Sequence, residues 1–328
     1  MKTVINWGII APGRIAHKFA HDLALAEGNK LHAVASRSLE RASGFAAKYD
    51  APHAFGSYED IAGCPGLDVV YVASPHTGHC EHTLLCLENK IPVVCEKPLA
   101  MNEGQVRRMM EAARKNDTFL MEALWTRFIP LFEKTIEMVE EGAIGRLKNL
   151  RADFGFKAGF PPEHRLFNPA LGGGSLLDVG IYPVFAAMTF LGKPDTIKAL
   201  AIFGETGVDE SCGMLLHYPG NRLAILDSSV AVNTETVAVL YGEKGTIELH
   251  GRFHQPEKLT LALNDGTAET LIMPYTGNGY YHEIMAVAGC IRAGRKECEK
   301  MPLDFSLQLV RLLDEIRRVA GIAYPGIG

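Results

Sequence analysis

Residues 4–16 read Val4-Ile5-Asn6-Trp7-Gly8-Ile9-Ile10-Ala11-Pro12-Gly13-Arg14-Ile15-Ala16. The run from Thr3 to Ile10 has the length and apolar character of a buried strand. It breaks at Ala11-Pro12-Gly13, and a helix is expected from about Arg14. Strand, glycine turn and helix in that order match the dinucleotide fingerprint G-x-G-x-x-G/A, with Ala11 replacing its first glycine. Gly13 would let the backbone approach a pyrophosphate, and the helix N-terminus would attract its charge. Glycine turns after strands also occur as plain structure. The position of this one, opening a βαβ unit, favours nucleotide binding.

Working outward, strands and helices alternate. Lys30–Ser36 reads as a second strand and Leu39–Tyr49 as a helix with Ser38 at its N-cap. A short capped helix is expected at Ser57-Tyr58-Glu59-Asp60. Strands follow at Leu67–Ala73, Ile91–Cys95 and Thr118–Met121, with helices at Cys80–Asn89 and Asn102–Asn116 between them. Near-continuous apolar strands alternating with helices imply a doubly wound parallel sheet covered on both faces, a Rossmann domain over residues 1–122. The residues closing the second strand are Ser36-Arg37-Ser38. No acidic group stands there to bind a ribose 2′-hydroxyl, whereas Arg37 can pair with a 2′-phosphate and the serines can donate hydrogen bonds. The expected cofactor is therefore NADP(H), against a solvated loop arginine as the plain alternative.

The pattern changes after residue 122. A helix at Pro130–Glu141 is followed by strand-like runs at Leu147–Phe154, Thr196–Phe203, Cys212–Tyr218, Arg222–Ser229, Thr236–Tyr241, Gly245–Leu249, Lys258–Leu263 and Glu269–Met273. Tight connections such as Tyr218-Pro219-Gly220-Asn221 and Asn264-Asp265-Gly266 favour antiparallel hairpins. Helices at about Tyr280–Ala293 and Phe305–Ala320 close the chain. Residues 123–328 are thus expected to form an α+β domain with a large, mostly antiparallel open sheet.

Chemistry is suggested by Cys95-Glu96-Lys97-Pro98 at the end of a strand. Ligands of open α/β sheets bind at that carboxyl edge. Lys97 can point into the crevice, Glu96 can hold its ammonium, and Pro98 restricts the backbone and admits a cis bond. A proton-transfer partner is sought in Gly172-Gly173-Gly174-Ser175-Leu176-Leu177-Asp178-Val179-Gly180-Ile181-Tyr182. A helix from Ser175 would place Asp178 and Tyr182 on one face. A nearby ammonium would favour the phenolate of Tyr182, and Asp178 could orient Lys97 or a substrate hydroxyl. The plain alternatives are a tyrosine at a helix end and an aspartate tied to local backbone.

Together, Gly8–Ala16, Glu96-Lys97-Pro98 and Gly172–Gly180 resemble the Gfo/Idh/MocA oxidoreductases over essentially the whole chain. Met121-Glu122-Ala123-Leu124-Trp125-Thr126-Arg127-Phe128 and Asp178–Tyr182 resemble the branch that holds dimeric dihydrodiol dehydrogenase and NADP-dependent D-xylose 1-dehydrogenase. The resemblance implies proton transfer by Lys97 and Tyr182, with Asp178 as the acid of the same motif. It implies a pyrophosphate turn at Ala11, Gly13, Arg14 and Ile15, and a 2′-phosphate site at Ser36, Arg37 and Ser38. Ser74, Pro75, His76 and His79 would lie along the cofactor, and Glu96 and Pro98 would flank the lysine near the nicotinamide. Trp125 and Arg127 would close over nicotinamide and substrate, and Phe154 and Tyr281 would add aromatic pocket wall. The departures are Ala11, His76 where many relatives carry asparagine, and a loosely kept aromatic pattern at Phe253-His254 and Tyr280-Tyr281. The implied reaction moves hydride between nicotinamide and a CH–OH carbon of a sugar or cyclic trans-diol. The alternatives are a non-catalytic NADP(H)-binding regulator, which could dispense with Lys97 or Tyr182, and reduction of a keto sugar or tetrapyrrole. The resemblance also implies a homodimer formed through the outer face of the second sheet.

Composition agrees with an enzyme of small molecules. The net charge of −5 over 328 residues gives no electrostatic footprint for nucleic acid. No apolar run is expected to reach membrane-spanning length, and the N-terminus lacks the zones of a signal peptide. Seven cysteines without paired spacing fit reduced thiols and a cytoplasmic location. His76, His79 and His82, with Cys80 and Cys86 nearby, offer zinc-type donors, but no distant pair completes a zinc spacing. No metal is expected.

Overall fold

The computed structural model describes residues 4–326. Two compact units divide the chain: Met1–Phe128 with Tyr275–Val310, and Ile129–Pro274 with Arg311–Gly328. Sequence reasoning put everything after residue 122 in the second domain. The structure returns residues 275–310 to the first unit and moves the boundary to Phe128. Helical periodicity shows that a helix has an apolar face, but not which sheet covers it.

The first unit contains β1 (Ile5–Ile10), α1 (Arg14–Leu25), β2 (Asn29–Ala35), α2 (Leu39–Lys48), β3 (His53–Phe55), β4 (Val69–Val72), α3 (His79–Glu88), β5 (Val93–Glu96), α4 (Glu103–Lys115) and β6 (Leu120–Ala123). Thr3, the expected start of β1, lies outside the described residues. The six strands run in the order β3-β2-β1-β4-β5-β6, and every neighbouring pair is parallel. β4, β5 and β6 are buried along their whole length. Helices cover both faces, so those strands read as near-continuous apolar runs, interrupted by Glu96 and Glu122. Helix starts follow side-chain chemistry: Ser38 Oγ accepts from Arg41 N–H at 3.3 Å, and Asn102 Oδ1 accepts from Gln105 N–H at 2.9 Å.

Three details differ from expectation. β3 was not foreseen, because three residues are too short to show a period. The last strand is Leu120–Ala123, shifted along a stretch that is apolar except for Glu122. The turn after Ser57 is a 3₁₀ segment over Glu59–Gly63, with Ser57 Oγ accepting from Asp60 N–H at 3.2 Å.

The second unit begins with α5 (Pro130–Glu140) and β7 (Leu147–Gly155), followed by α6 (Ile181–Leu191). Its remaining strands are β8 (Thr196–Phe203), β9 (Asp209–Tyr218), β10 (Arg222–Ser229), β11 (Ala238–Gly242), β12 (Gly245–Leu249), β13 (Lys258–Leu263) and β14 (Ala268–Ile272). They form one eight-stranded sheet in the order β14-β13-β12-β11-β7-β10-β9-β8. The sheet is antiparallel except for β7 beside β10. α7 (Tyr281–Arg292) belongs to the first unit, and α8 (Leu303–Ala320) is shared between the units at Val310. One segment, Pro169–Leu191, does reach membrane-span length and a mean hydropathy of 1.5, contrary to the sequence reading. It is 89% buried inside the protein, as a core helix is.

Candidate active site

Every residue expected to hold a dinucleotide lies at or just after the carboxyl end of a parallel strand of the first unit. Ala11–Ile15 follow β1, Ser36–Ser38 follow β2, Ser74–His79 follow β4, Lys97-Pro98 follow β5 and Trp125–Arg127 follow β6. The strand order reverses between β1 and β4, which makes that edge the ligand-binding crevice of such a sheet.

At the first turn Ala11 adopts φ 64°, a left-handed conformation that a glycine would take without strain. Its carbonyl accepts from Gly13 N–H at 2.8 Å, which tightens the turn. A Cβ at Gly13 would meet only Ala11 O, at 3.9 Å, so the protein itself leaves open the space that a side chain would fill. No side chain caps α1. An open cradle in front of an uncapped helix N-terminus fits a pyrophosphate. At the next strand end Arg37 is exposed, and Ser36 and Ser38 each accept a backbone N–H, from Ser38 and Arg41 respectively.

The lysine turn is held by its neighbours. The Lys97–Pro98 peptide is cis. Glu96 Oε2 accepts from the Lys97 backbone N–H at 3.2 Å, and Tyr71 OH donates to Glu96 Oε1. Tyr71 stacks on Phe19 with ring centroids 3.8 Å apart. His79, only 1% exposed, reaches two carbonyls: Nδ1 faces Pro98 O at 2.7 Å and Nε2 faces Ser74 O at 2.9 Å. Burial pushes its pKa down to about 4, so the neutral ring donates to one of the two at a time. His79 therefore ties the β4 turn to the lysine turn. His82 Nδ1 lies 2.9 Å from Ser74 Oγ, and burial lowers its pKa. These contacts make His79 a backbone tie and His82 a partner of the Ser74 hydroxyl.

Two carboxyl groups near Glu96 escaped sequence reasoning, because a single polar residue inside an apolar run leaves no periodic signal. Glu122 on β6 is fully buried, and its Oε1 accepts from Leu99 N–H at 2.8 Å. Burial raises its pKa to about 7, while the Leu99 N–H and the Lys97 charge pull it back. Glu283 on α7 is also fully buried, and neither carboxyl oxygen has a hydrogen-bond partner among the described residues. Burial first, then the charges of Glu96 and Asp22, raise its pKa well above the usual carboxylate range.

Asp22 on α1 fastens the segment before α7. Its oxygens accept from the backbone N–H groups of Asn278, Tyr280 and Tyr281, at 2.8–3.3 Å. Tyr280 is thereby held against Trp125, with stacked rings 4.9 Å apart. Tyr281, assigned to the substrate wall through the resemblance, belongs to the first unit and lies edge-on to His282 at 5.3 Å. It is Tyr280, 4% exposed, that packs on Trp125.

In the second unit, Leu176–Gly180 forms a π-helical turn that passes into α6 at Ile181, where an ordinary helix from Ser175 was expected. Buried Asp209 starts the turn by accepting from Leu176 N–H at 2.7 Å and Ser175 Oγ–H at 3.0 Å. Burial lifts its pKa to about 6. A Cβ at Gly173 would lie 2.6 Å from Leu166 O, and one at Gly174 would lie 2.1 Å from Asp209 Oδ1. The glycine run thus lets residues 165–168 pack close to the turn. That approach delivers Arg165, whose Nη1 and Nη2 donate to Asp178 Oδ1 at 3.1 and 3.0 Å. Arg165 was not foreseen, because its loop carries no periodic pattern. Phe154, Tyr182 and His254 form one aromatic group. The ring centroids are 4.3 Å apart for Phe154–His254, 5.1 Å for Tyr182–His254 and 5.5 Å for Phe154–Tyr182.

Comparison with known proteins agrees with this architecture. Residues 5–124 match the oxidoreductase family with an NAD-binding Rossmann fold, and residues 132–248 match the GFO/IDH/MocA C-terminal domain. Trans-1,2-dihydrobenzene-1,2-diol dehydrogenase from Xenopus laevis is 39% identical over 332 residues, covering 98% of this chain and 99% of that protein. Among solved structures, aldose-aldose oxidoreductase from Caulobacter crescentus superposes with a TM-score of 0.88 at 26% identity, covering 97% and 98% of the two chains. KijD10, a 3-ketoreductase from Actinomadura kijaniata in complex with NADP and TDP-benzene, gives 0.86 at 25% identity, covering 96% and 97%. With a nicotinamide-type Rossmann edge, a lysine turn and full-length similarity to such enzymes, the chain belongs to the Gfo/Idh/MocA family of oxidoreductases.

Proposed function

We propose that the protein is an NADP(H)-dependent dehydrogenase acting on a CH–OH carbon of a cyclic trans-diol or sugar. The observation that carries the reading is the gathering of the cofactor candidates and Lys97 on one edge of a single parallel sheet. The choice of NADP(H) is supported by exposed Arg37, with no acidic residue, at the end of β2, and by the NADP in the KijD10 complex. The substrate class is supported by the dihydrodiol dehydrogenase relatives and the aldose-aldose oxidoreductase.

When bound, the nicotinamide supplies the hydride acceptor or donor. The chain's own groups do the rest. Gly13, Arg14 and Ile15 would hold the pyrophosphate at the start of α1, and Arg37 would pair with the 2′-phosphate while Ser36 and Ser38 shape its loop. Ser74, Pro75 and His76 line the cofactor, and His79 holds their loop to Pro98. Tyr71 and Glu96 fix the turn from which Lys97 projects. In the oxidative direction the hydroxyl proton passes to Tyr182 or to Lys97. Asp178, held by Arg165, orients the substrate hydroxyl. Phe154 and His254 beside Tyr182 offer a flat apolar wall to a ring. Trp125 and Arg127 close over the nicotinamide.

A cytoplasmic homodimer completes the proposal. Leu200, Ile202, Leu215 and Ile225 are 38–72% exposed and share one face of β8, β9 and β10 by register. A contiguous apolar sheet face of this kind suits a second copy of the chain. The test of function is absorbance at the nicotinamide band with NADP⁺ and a panel of cyclic trans-diols, aldoses and inositols, repeated with NAD⁺. Turnover with NADP⁺ on one class supports the reading. NADPH binding with silence across the panel would instead favour the regulator.

A further inference from the structure

Outside the nucleotide edge, three metal-type donors meet in the first unit. They are His32 on β2, His53 at the start of β3 and Cys64 after the 3₁₀ segment. One donor atom from each lies within 4.8 Å of the others. We propose that His32, His53 and Cys64 form a binding site for a zinc-type divalent cation, with a water molecule in the fourth position.

The argument begins with His32. Its Nε2 lies 2.9 Å from Pro65 O. A carbonyl only accepts, so Nε2 carries the hydrogen and Nδ1 bears the lone pair. That Nδ1 is shielded from solvent and has no hydrogen-bond partner among the described residues. A buried acceptor with no donor costs free energy, and a cation would satisfy it. A ring nitrogen bonded to a backbone carbonyl is also the usual support of a ligating histidine, since it fixes tautomer and orientation. The His53 ring stands edge-on to His32, with centroids 4.8 Å apart. The Cys64 thiol is 8% exposed, and burial raises its pKa. As a metal ligand it would release its proton to water, against that raised pKa. Two imidazoles and one thiolate are a borderline-soft donor set that suits zinc and leaves one tetrahedral position open.

The loop after Cys64 borders the start of the sheet: Asn6 Nδ2 donates to Gly66 O at 2.7 Å, and Asp68 Oδ2 accepts from Asn6 N–H at 2.8 Å. The site thus lies toward the amino edge of the sheet, away from the nucleotide turn. It would clamp the edge strand β3 and β2 to that loop. None of this was visible in the sequence, where the zinc-type residues drew attention to positions 76–86.

The test uses the full-length protein freed of metal by chelator and titrated with Co²⁺. The expected result is one equivalent bound with a thiolate-to-cobalt charge-transfer band, displaced by Zn²⁺, and a higher unfolding temperature with Zn²⁺. Cys64→Ser should lose the band. His53→Gln, at a half-buried position, should weaken Co²⁺ by roughly 10–100-fold or more, as disturbed metal sites generally do. Both variants should keep wild-type circular dichroism in chelator. Absence of the band in the wild-type protein would overturn the proposal, as would its persistence in Cys64→Ser or unchanged affinity in His53→Gln.

Discussion

Replacing Glu122 by glutamine should change how stability depends on pH. Glu122 is fully buried beside the lysine turn, and its carboxyl pKa is raised from an ordinary 4.5 to about 7, chiefly by burial. Below pH 4.5 both folded and unfolded chains carry the neutral acid, and no penalty arises. Between 4.5 and 7 the unfolded chain ionises while the folded one does not, so stability falls as pH rises. Above 7 the penalty is complete. At about 1.4 kcal/mol per pKa unit it amounts to about 3 kcal/mol. The glutamine would keep an acceptor for Leu99 N–H and remove the ionisable proton. The variant should match the native protein near pH 4.5 and exceed it by about 3 kcal/mol near about pH 8, where glutamine removes the buried charge. Urea unfolding at several pH values measures both curves. Parallel curves for the two proteins would refute the assignment of a strained buried carboxylate.

Lys97→Met should abolish turnover while NADPH binding, followed by fluorescence, stays largely intact; loss of binding would make Lys97 a cofactor ligand. Arg37→Ala should weaken NADPH by about 1.5–3 kcal/mol, the usual size of a charged hydrogen bond, and leave NADH nearly unchanged; equal weakening of both cofactors would sink the 2′-phosphate assignment. Ala11→Gly should raise stability by up to about 1 kcal/mol. Relief of the left-handed alanine is worth roughly 1–2 kcal/mol, and the added freedom of the unfolded glycine offsets part of it. Chemical denaturation showing a net loss would mean that the φ of 64° is not strained.

Much of the fold was legible because it is written in periods. Apolar strands β1, β4 and β5 alternate with helices, and the turn at Gly13 falls between β1 and α1 as the fingerprint requires. The hairpin strands of the second unit were found from alternation and tight turns. What stayed hidden depends on long-range meetings. β9 begins at Asp209, earlier than expected, because a polar residue there faces inward and holds Ser175. The π-helical turn was missed because i, i+4 spacing reads as an ordinary helix. At the site, Lys97, Tyr182 and Asp178 stood out as motifs. Arg165, Glu122 and Tyr71 matter through partners 13 to 25 residues away, and no local pattern announces such pairs.

Asp22 links the amino-terminal third of the chain to its last quarter: its carboxylate binds backbone N–H groups at residues 278–281. During synthesis, then, the first unit cannot finish folding when residue 128 leaves the ribosome. It waits with an unmatched carboxylate and an uncovered Trp125 until residues 278–281 have emerged. Residues 1–128 are therefore not a transplantable module. A chimaera that borrows this nucleotide unit has to carry 275–310 as well, and should misassemble without it.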